Sequence, residues 1–531
     1  MRKFIFYTLG FCVVGFFLTA CYDDKGNYDY TELAEIRIDT AGLATPILAE
    51  GTVFRFDKMM CEPNIYYAGK LVNEDADAPL DYTWTIYSTT GLGGSDDDRR
   101  IDTLATTRIL DAEISRAPGQ YIVQLAVTDR GNGCQQYMKL QRTIEGTIPV
   151  SGWMLLYEPV DKPGMSDVGL VYNELVKKNW LSDDVAYWNL YSSSNGAPVE
   201  GKPLKINYTV TKLPTSFIVI ATEKGMCAVH EETFQRELTV EDFFYEPPTS
   251  GALTAYMQAC WMPSTPSYGE NVLYGNKVYI GGNGERPMGI PAMGEYGELA
   301  PWLCLFHPVS GLNTVVYDNT NGRFLGVSGV KVTPLIAQTP PSGGFDVNNV
   351  GAEFIKGDWG VGNMEYFIMK KDDAYFFARA NFLDPASTAM GTIWKDITAS
   401  PGIAEINTFA MPYVGSYAFY GTKTKVYKLF YTMNDVAEEL WEIPSGANSN
   451  EEEITCMELQ KFSVAAWMSM GIMPNVNEVL HVATWNESTK KGKLYQFKID
   501  AIDGSIKGEP KVCDVPGKVK SMGWKFTLME R

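Results

Sequence analysis

From about residue 148 onward the chain keeps returning to one unit, an apolar strand, a tight turn and a second apolar strand. The clearest copies run over Phe217–Val229, Tyr366–Phe377, Tyr417–Leu429 and Val479–Phe497, with weaker ones around Leu155, Tyr279 and Val316. The strand runs are rich in β-branched and aromatic residues and are bounded by Gly, Asn, Asp and Pro. One such hairpin cannot bury its own apolar face, so the copies must stack on one another. Their spacing of about 40 to 65 residues suits four-stranded blades set around a central axis. Roughly 380 residues at about 50 per unit give seven or eight blades, and seven is the expectation. Two packed sandwiches are the other arrangement the pattern allows. No Trp-Asp or kelch signature marks the units. Helical periodicity is scarce, with a short helix expected only over Val168–Lys178, so the chain reads as all-β.

The first 34 residues read differently. Arg2 and Lys3 precede about fifteen mostly apolar residues, Phe4–Leu18, too short to span a bilayer and of leader length. The run ends in Leu18, Thr19, Ala20 and Cys21, which looks like a bacterial lipobox, with cleavage before Cys21 and lipid carried on its thiol. Asp23 and Asp24 follow at once and resemble the signal that sends some lipoproteins to the outer face of the outer membrane. A plain signal peptide with a chance Cys, and a merely solvated acidic tether, are the simpler readings of the same residues. The expected division is a leader over 1–20, a tether over 21–34, a β-sandwich over 35–147 and the propeller-like region over 148–531.

Within 35–147, Ile36–Ile38 and Val53–Phe56 alternate as early strands, and Tyr82, Trp84 and Ile86 alternate in a later one. Pro118 and Gly119 turn into a strand in which Tyr121, Val123, Leu125 and Val127 fall on one face and Asp129 closes the run. A Trp in a mid-sandwich strand and a Gly-x-Tyr entering a late one are immunoglobulin-like features. They resemble the PKD domain, although the turn that normally follows the Trp in that family is replaced here by Thr85, Ile86 and Tyr87. Gly93–Asp98 reads as a solvated loop, since three adjacent Asp followed by Arg99 and Arg100 lack the spaced oxygen ligands of a calcium site.

Charge and side-chain chemistry exclude more than they select. The formal net charge is −19, which argues against nucleic-acid partners and against a basic membrane-binding patch. Of nine cysteines, seven remain beyond Cys12 and Cys21, none in a Cys-x-x-Cys pair, and most lie in apolar stretches as small core residues. Cys61 and Cys134 are the pair that could form a disulfide. The three histidines, His230, His307 and His481, are far apart and lie in or beside apolar strands, so no zinc site or serine triad is expected. A Gly-x-Ser-x-Gly elbow is absent, and Gly281–Gly284 has no Lys and opens no helix, so no phosphate loop is expected. No catalytic residue, metal or cofactor can be assigned. Exposed aromatics that could stack on sugars or peptides are sought instead in loop-like stretches: Trp180, Trp188, Trp261, Trp302 and Trp359 are the candidates, each equally readable as a buried sheet residue.

A lipobox, then the acidic and aromatic run of residues 22–30, then PKD-like strands and a long β region resemble, in that order, the PKD-like surface lipoproteins that accompany SusC/SusD-type outer-membrane importers. The resemblance implies a non-enzymatic accessory role, binding a peptide or glycan nutrient beside such an importer, with membrane attachment through the lipid anchor. It brings no catalytic residues with it. A carbohydrate-active propeller enzyme and a structural or adhesive surface protein are the alternatives. Carboxylates gathered at the propeller axis would favour the enzyme, and an open aromatic groove would favour binding.

Overall fold

The structure of the protein is a computed structural model, which describes residues 34–39, 51–89, 101–116, 118–145, 152–176, 184–212, 215–258, 270–281, 288–304, 311–433, 436–444, 451–461 and 474–525. The leader, Cys21 and the tether lie outside the described residues, as do Gly93–Asp98, Trp180, Trp261 and His307.

The N-terminal unit is a sandwich. Its larger sheet runs in the order Gly51–Phe54, Gln135–Glu145, Gly119–Asp129, Leu80–Ser88, Ile101–Ala105. The first pair is parallel and the others are antiparallel. Ile36–Asp39, Asn64–Tyr67 and Lys70–Leu71 form a three-stranded sheet, and Lys58–Cys61 pairs with Leu110–Glu113. The period-two pattern explains the core. Tyr82, Trp84, Ile86, Tyr121, Val123, Leu125 and Val127 all turn inward and are buried together. Trp84 is fully buried and donates its indole N–H to the Thr107 carbonyl at 3.0 Å. Cys61 is buried and Cys134 exposed, and both are free thiols. Burial pushes the Cys61 thiol up to about 11, so it stays protonated at neutral pH.

Residues 152–525 form a β-propeller. The described strands make seven antiparallel sheets in chain order. Blade 1 holds Gly517–Lys525, Gly152–Pro159, Met165–Tyr172 and Val185–Tyr187. Blade 2 runs Pro203–Lys212, Thr215–Thr222, Gly225–His230, Arg236–Leu238. Blade 3 is Leu253–Gln258, Glu270–Tyr274, Lys277–Gly281, and blade 4 is Thr314–Asp318, Arg323–Ser328, Lys331–Pro334. Blade 5 is Glu353–Trp359, Glu365–Lys371, Ala374–Ala380, Gly391–Asp396. Blade 6 is Thr408–Ala410, Ala418–Gly421, Lys425–Leu429, Glu438–Glu442. Blade 7 is Glu452–Leu459, Val479–Asn486, Lys491–Lys498, Lys511–Val515. In blade 4 the edge facing the axis is an irregular segment, in which Ala300 and Cys304 donate to the Tyr317 and Val315 carbonyls.

The ring closes out of chain order, through strand pairing. The last strand, Gly517–Lys525, pairs antiparallel with Gly152–Pro159, the first strand of the propeller, so one blade is built from both ends of the domain. A buried polar chain holds the same seam. Asn173 donates to Gln496 at 2.7 Å, the Gln496 amide lies 3.4 Å from His481 Nδ1, and His481 Nε2 lies 3.0 Å from Gln460 Oε1. Gln460 in turn donates to the Leu175 and Pro474 carbonyls. His481 is fully buried and stacks on Trp153 with ring centroids 3.8 Å apart. Burial holds its imidazole well below the usual histidine range, so it is neutral and serves as a core hydrogen-bonding residue.

The helix expected over Val168–Lys178 is not formed in its described part. Met165–Tyr172 is a strand between two others, buried on both faces. A strand covered on both sides has a continuous apolar run rather than alternation, and that run cannot be told from a buried helical segment by period.

The two units are pinned by Arg55 and Phe56. Arg55 is buried and donates to the Ser115 carbonyl of its own unit, and to the Thr233 carbonyl and Ser194 hydroxyl of the propeller, at 2.8 to 3.1 Å. Phe56 packs beside Tyr187 of blade 1, ring centroids 5.0 Å apart.

Candidate functional site

The first strand of each blade runs along the axis, and these strands enclose a central cavity of about 190 Å³. Its wall takes Lys205, Ile206 and Asn207 from blade 2, Tyr256 and Met257 from blade 3, and Trp302 from the inner edge of blade 4. Gly357, Asp358 and Trp359 come from blade 5, Phe409 from blade 6, Glu458, Leu459 and Lys461 from blade 7, and Met522–Trp524 from the closing strand. Every blade therefore contributes.

Sequence alternation places the charges. On an inner strand, residues two apart share a face, so Lys205 and Asn207 both address the cavity, and Asp358 meets them from blade 5. Two ion pairs cross the cavity. Lys205 of blade 2 meets Glu458 of blade 7 at 3.4 Å, and the carboxylate of Glu458 raises the Lys205 ammonium above its ordinary value. Lys461, which follows the blade 7 strand, pairs with Asp358 of blade 5 and donates to the carbonyls of Trp359 at 2.6 Å and Met411 at 3.0 Å. Asp358 also accepts from the Met411 amide at 2.8 Å, so this pair ties blades 5, 6 and 7. Lys461 lies over the Trp359 ring, 4.7 Å from its centroid.

Lys356 on blade 5 and Lys520 on the closing strand of blade 1 differ from these. Neither ammonium has a carboxylate at ion-pair distance among the described residues. Burial first, and then the charge of Lys520, lower the Lys356 value. Burial and Lys518 lower that of Lys520. The residues that line the cavity do not include Lys356 or Lys520. The Cys456 thiol near them is held strongly protonated by burial.

Of the candidate tryptophans, Trp302 and Trp359 stand in the cavity wall and are otherwise buried. Trp302 packs edge-on to Phe324 and Phe367 and also belongs to the core between blades 4 and 5. Gly357 makes room for it, because a Cβ there would come within 3.1 Å of the indole and 2.8 Å of Phe354. Trp188 lies away from the axis, edge-on to Tyr157 and against Gly169, where a Cβ would collide with its ring at 2.3 Å. Trp153, Tyr256 and Trp524 line the cavity and were not singled out from the sequence. A second cleft of about 540 Å³ lies on the outside of blades 2 and 3, between Tyr245, Pro247, Pro248, Tyr279 and Ile290. It is larger but carries only Glu246 and Lys277 as charges, so the axial cavity has the richer recognition chemistry.

Among the described residues, no group of three or more His, Cys, Asp or Glu is arranged to hold a metal ion. No described helix is long and apolar enough to cross a membrane.

Residues 21–203 match the PKD-like family, a match over roughly a third of the chain that runs past the sandwich into blade 1. No curated protein matches the chain. Among solved structures, a quinonprotein alcohol dehydrogenase-like protein from Bacteroides thetaiotaomicron is similar at 11% identity and a TM-score of 0.44, covering 92% of this chain and 99% of that one. The β-propeller domain of Cps50 (Swd1) from Myceliophteria thermophila is similar at 8% identity and a TM-score of 0.30, covering 57% of this chain and 98% of that one. PorZ of Porphyromonas gingivalis, a surface component of the type-IX secretion system, is similar at 8% identity and a TM-score of 0.16, over 85% of this chain and 63% of that one. The propeller architecture itself rests on the sheet order and the closing strand.

Proposed function

We propose that this is a surface-anchored binding protein, held to the outer membrane through Cys21, whose propeller receives a peptide or glycan fragment as an accessory subunit of a SusC/SusD-type importer. The observation that carries the binding role is the axial cavity, where aromatic faces from blades 1, 3, 4 and 5 stand beside the ion pairs of Lys205 and Lys461. Aromatic surface supplies contact area, and the few polar groups set orientation, which is the usual composition of a ligand site. The lipobox-like leader and the match of residues 21–203 support the anchored placement. The sandwich, locked to the propeller by Arg55 and Phe56, would hold it at a set distance and angle from the tether.

A hydrolase is the second reading, favoured by Asp358, Glu365 and Glu458 in the cavity wall. Two of these carboxylates are already engaged by lysines, Asp358 by Lys461 and Glu458 by Lys205, which suits structural ties better than proton transfer. The test is isolation of the full chain from its native outer membrane in mild detergent, with identification of co-purifying proteins and bound small molecules. Recovery of an importer pair with bound glycan or peptide is expected. Recovery of the chain alone, from cells that express such a pair, contradicts the importer role, and turnover of a glycan that Asp358→Asn or Glu458→Gln abolishes would favour the hydrolase.

A further inference from the structure

We infer that the axial cavity receives the terminal ring of a neutral glycan, stacked on its aromatic wall and hydrogen-bonded through its ion pairs and the Trp153 indole. The inference rests on the cavity being the ligand site and narrows what enters it from peptide or glycan to an uncharged sugar. Five charged side chains line the cavity: Lys205, Asp358, Glu365, Glu458 and Lys461. Lys205 is matched by Glu458 at 3.4 Å, and Lys461 by Asp358. Glu365 is buried and accepts from the Cys304 thiol at 3.3 Å. Two ammonium groups against three carboxylates leave no surplus positive charge on the wall, so the carboxylate of a uronic acid or of a peptide C-terminus enters against like charge.

The wall offers donor and acceptor side by side instead. A sugar hydroxyl donates and accepts at one oxygen, so a ring that carries several can address both members of an ion pair. A trans peptide group points its N–H and C=O in opposite directions and reaches one member at a time. Trp153 is an independent observation. It lines the cavity, is 2% exposed and stacks on His481, and its indole N–H has no acceptor among the described residues. A buried donor without a partner is costly and rare, and a hydroxyl or ring oxygen beside it removes that cost. Trp524, which pairs with Trp153 across blade 1, and Trp359 and Tyr256 supply flat apolar faces for the C–H side of the ring. At about 190 Å³ the cavity lies below the ~300–1,000 Å³ usual for whole ligands, so it takes one ring while the rest of the glycan stays at the mouth.

The experiment applies the full chain in detergent to an array of neutral oligosaccharides, uronic-acid-ended oligosaccharides and end-blocked dipeptides, then titrates the strongest binder by calorimetry. The titration is repeated on Trp153→Phe, which keeps an aromatic face and removes the N–H, and on Trp359→Leu, with the thermal midpoint recorded for each protein. A neutral oligosaccharide is expected to bind about tenfold or more tightly than its uronic-acid-ended counterpart. Trp153→Phe is expected to weaken that binding about fivefold while the midpoint stays level, and Trp359→Leu to weaken it about tenfold. A uronic-acid-ended sugar or a dipeptide that binds best, and that Trp359→Leu releases, would overturn the neutral-glycan assignment while leaving the cavity as the ligand site. A neutral glycan held equally by the native chain and both variants places the ligand elsewhere and overturns the cavity reading with it. Binding of no neutral glycan also overturns the inference. Unchanged affinity in Trp153→Phe with a lowered midpoint would mark the indole as structural, against the inference.

Discussion

Arg55 and the Lys356–Lys520 pair are both cations taken partly out of water with no carboxylate beside them, yet the fold treats them in opposite ways. Arg55 sits at the junction of sandwich and propeller with three acceptors at 2.8 to 3.1 Å, and burial lowers its guanidinium only to about 10. It is charged, saturated and structural. Lys356 and Lys520 lie on the inner strands of blades 5 and 1 with no ion-pair partner among the described residues, and burial lowers both. A buried cation whose hydrogen bonds are made belongs to the architecture, whereas a partly buried one without an ion-pair partner weighs against it.

That contrast can be broken at several points. The largest effect is expected at Lys461→Met, which strands Asp358 in the wall and frees the Trp359 and Met411 carbonyls; loss of a buried partner costs about 3–5 kcal/mol, read as a lower denaturant midpoint. Arg55→Ala should cost about 2–3 kcal/mol, since the Ser115 and Thr233 carbonyls lose their donor. It should also split the unfolding of sandwich and propeller into two transitions where the native chain shows one. If it leaves both unchanged, Arg55 is not the pin described here.

His481 gives a pH-dependent version of the same argument. Its folded value lies well below the ordinary histidine value of about 6.5 because burial disfavours the cation, so above about pH 6.5 its contribution is complete. As pH falls below that, the unfolded chain takes the proton first. Stability then drops by about 1.4 kcal/mol per pH unit until the folded value is reached. His481→Asn should flatten that part of the stability profile, and an unchanged slope would place the acid sensitivity elsewhere. The smallest effect is at Lys356→Met, expected to raise stability by about 0.5–1 kcal/mol by removing a partly buried ammonium that has no ion-pair partner among the described residues. A loss of stability there would erase the distinction from Arg55.

Much of the architecture could be read in advance because it is local. The alternation of Tyr82, Trp84 and Ile86 marks one face of a sandwich strand, and hairpins such as Phe217–Val229 and Tyr417–Leu429 mark blade centres. What was hidden is non-local. Nothing near Gly517–Lys525 announces that it pairs with Gly152–Pro159 across the whole domain, since strand pairing leaves its signal in the partner and not in the neighbours. The site was hidden for the same reason. Lys205, Asp358 and Glu458 stand beside apolar or glycine residues, which in an isolated strand means a solvent face. Only ring closure turns such faces of blades 2, 5 and 7 toward an axis and makes them converge. The tryptophans were sought as exposed loop residues, but Trp302 and Trp359 reach the cavity from inner edges, visible only once the inner strand of each blade is known.

The most direct test is a side-chain NMR titration of the Lys356 and Lys520 ammonium groups, assigned by substitution, in the full chain. Both groups should titrate below the ordinary lysine value of about 10.4. Ordinary values for both would contradict the contrast between these lysines and the saturated Arg55.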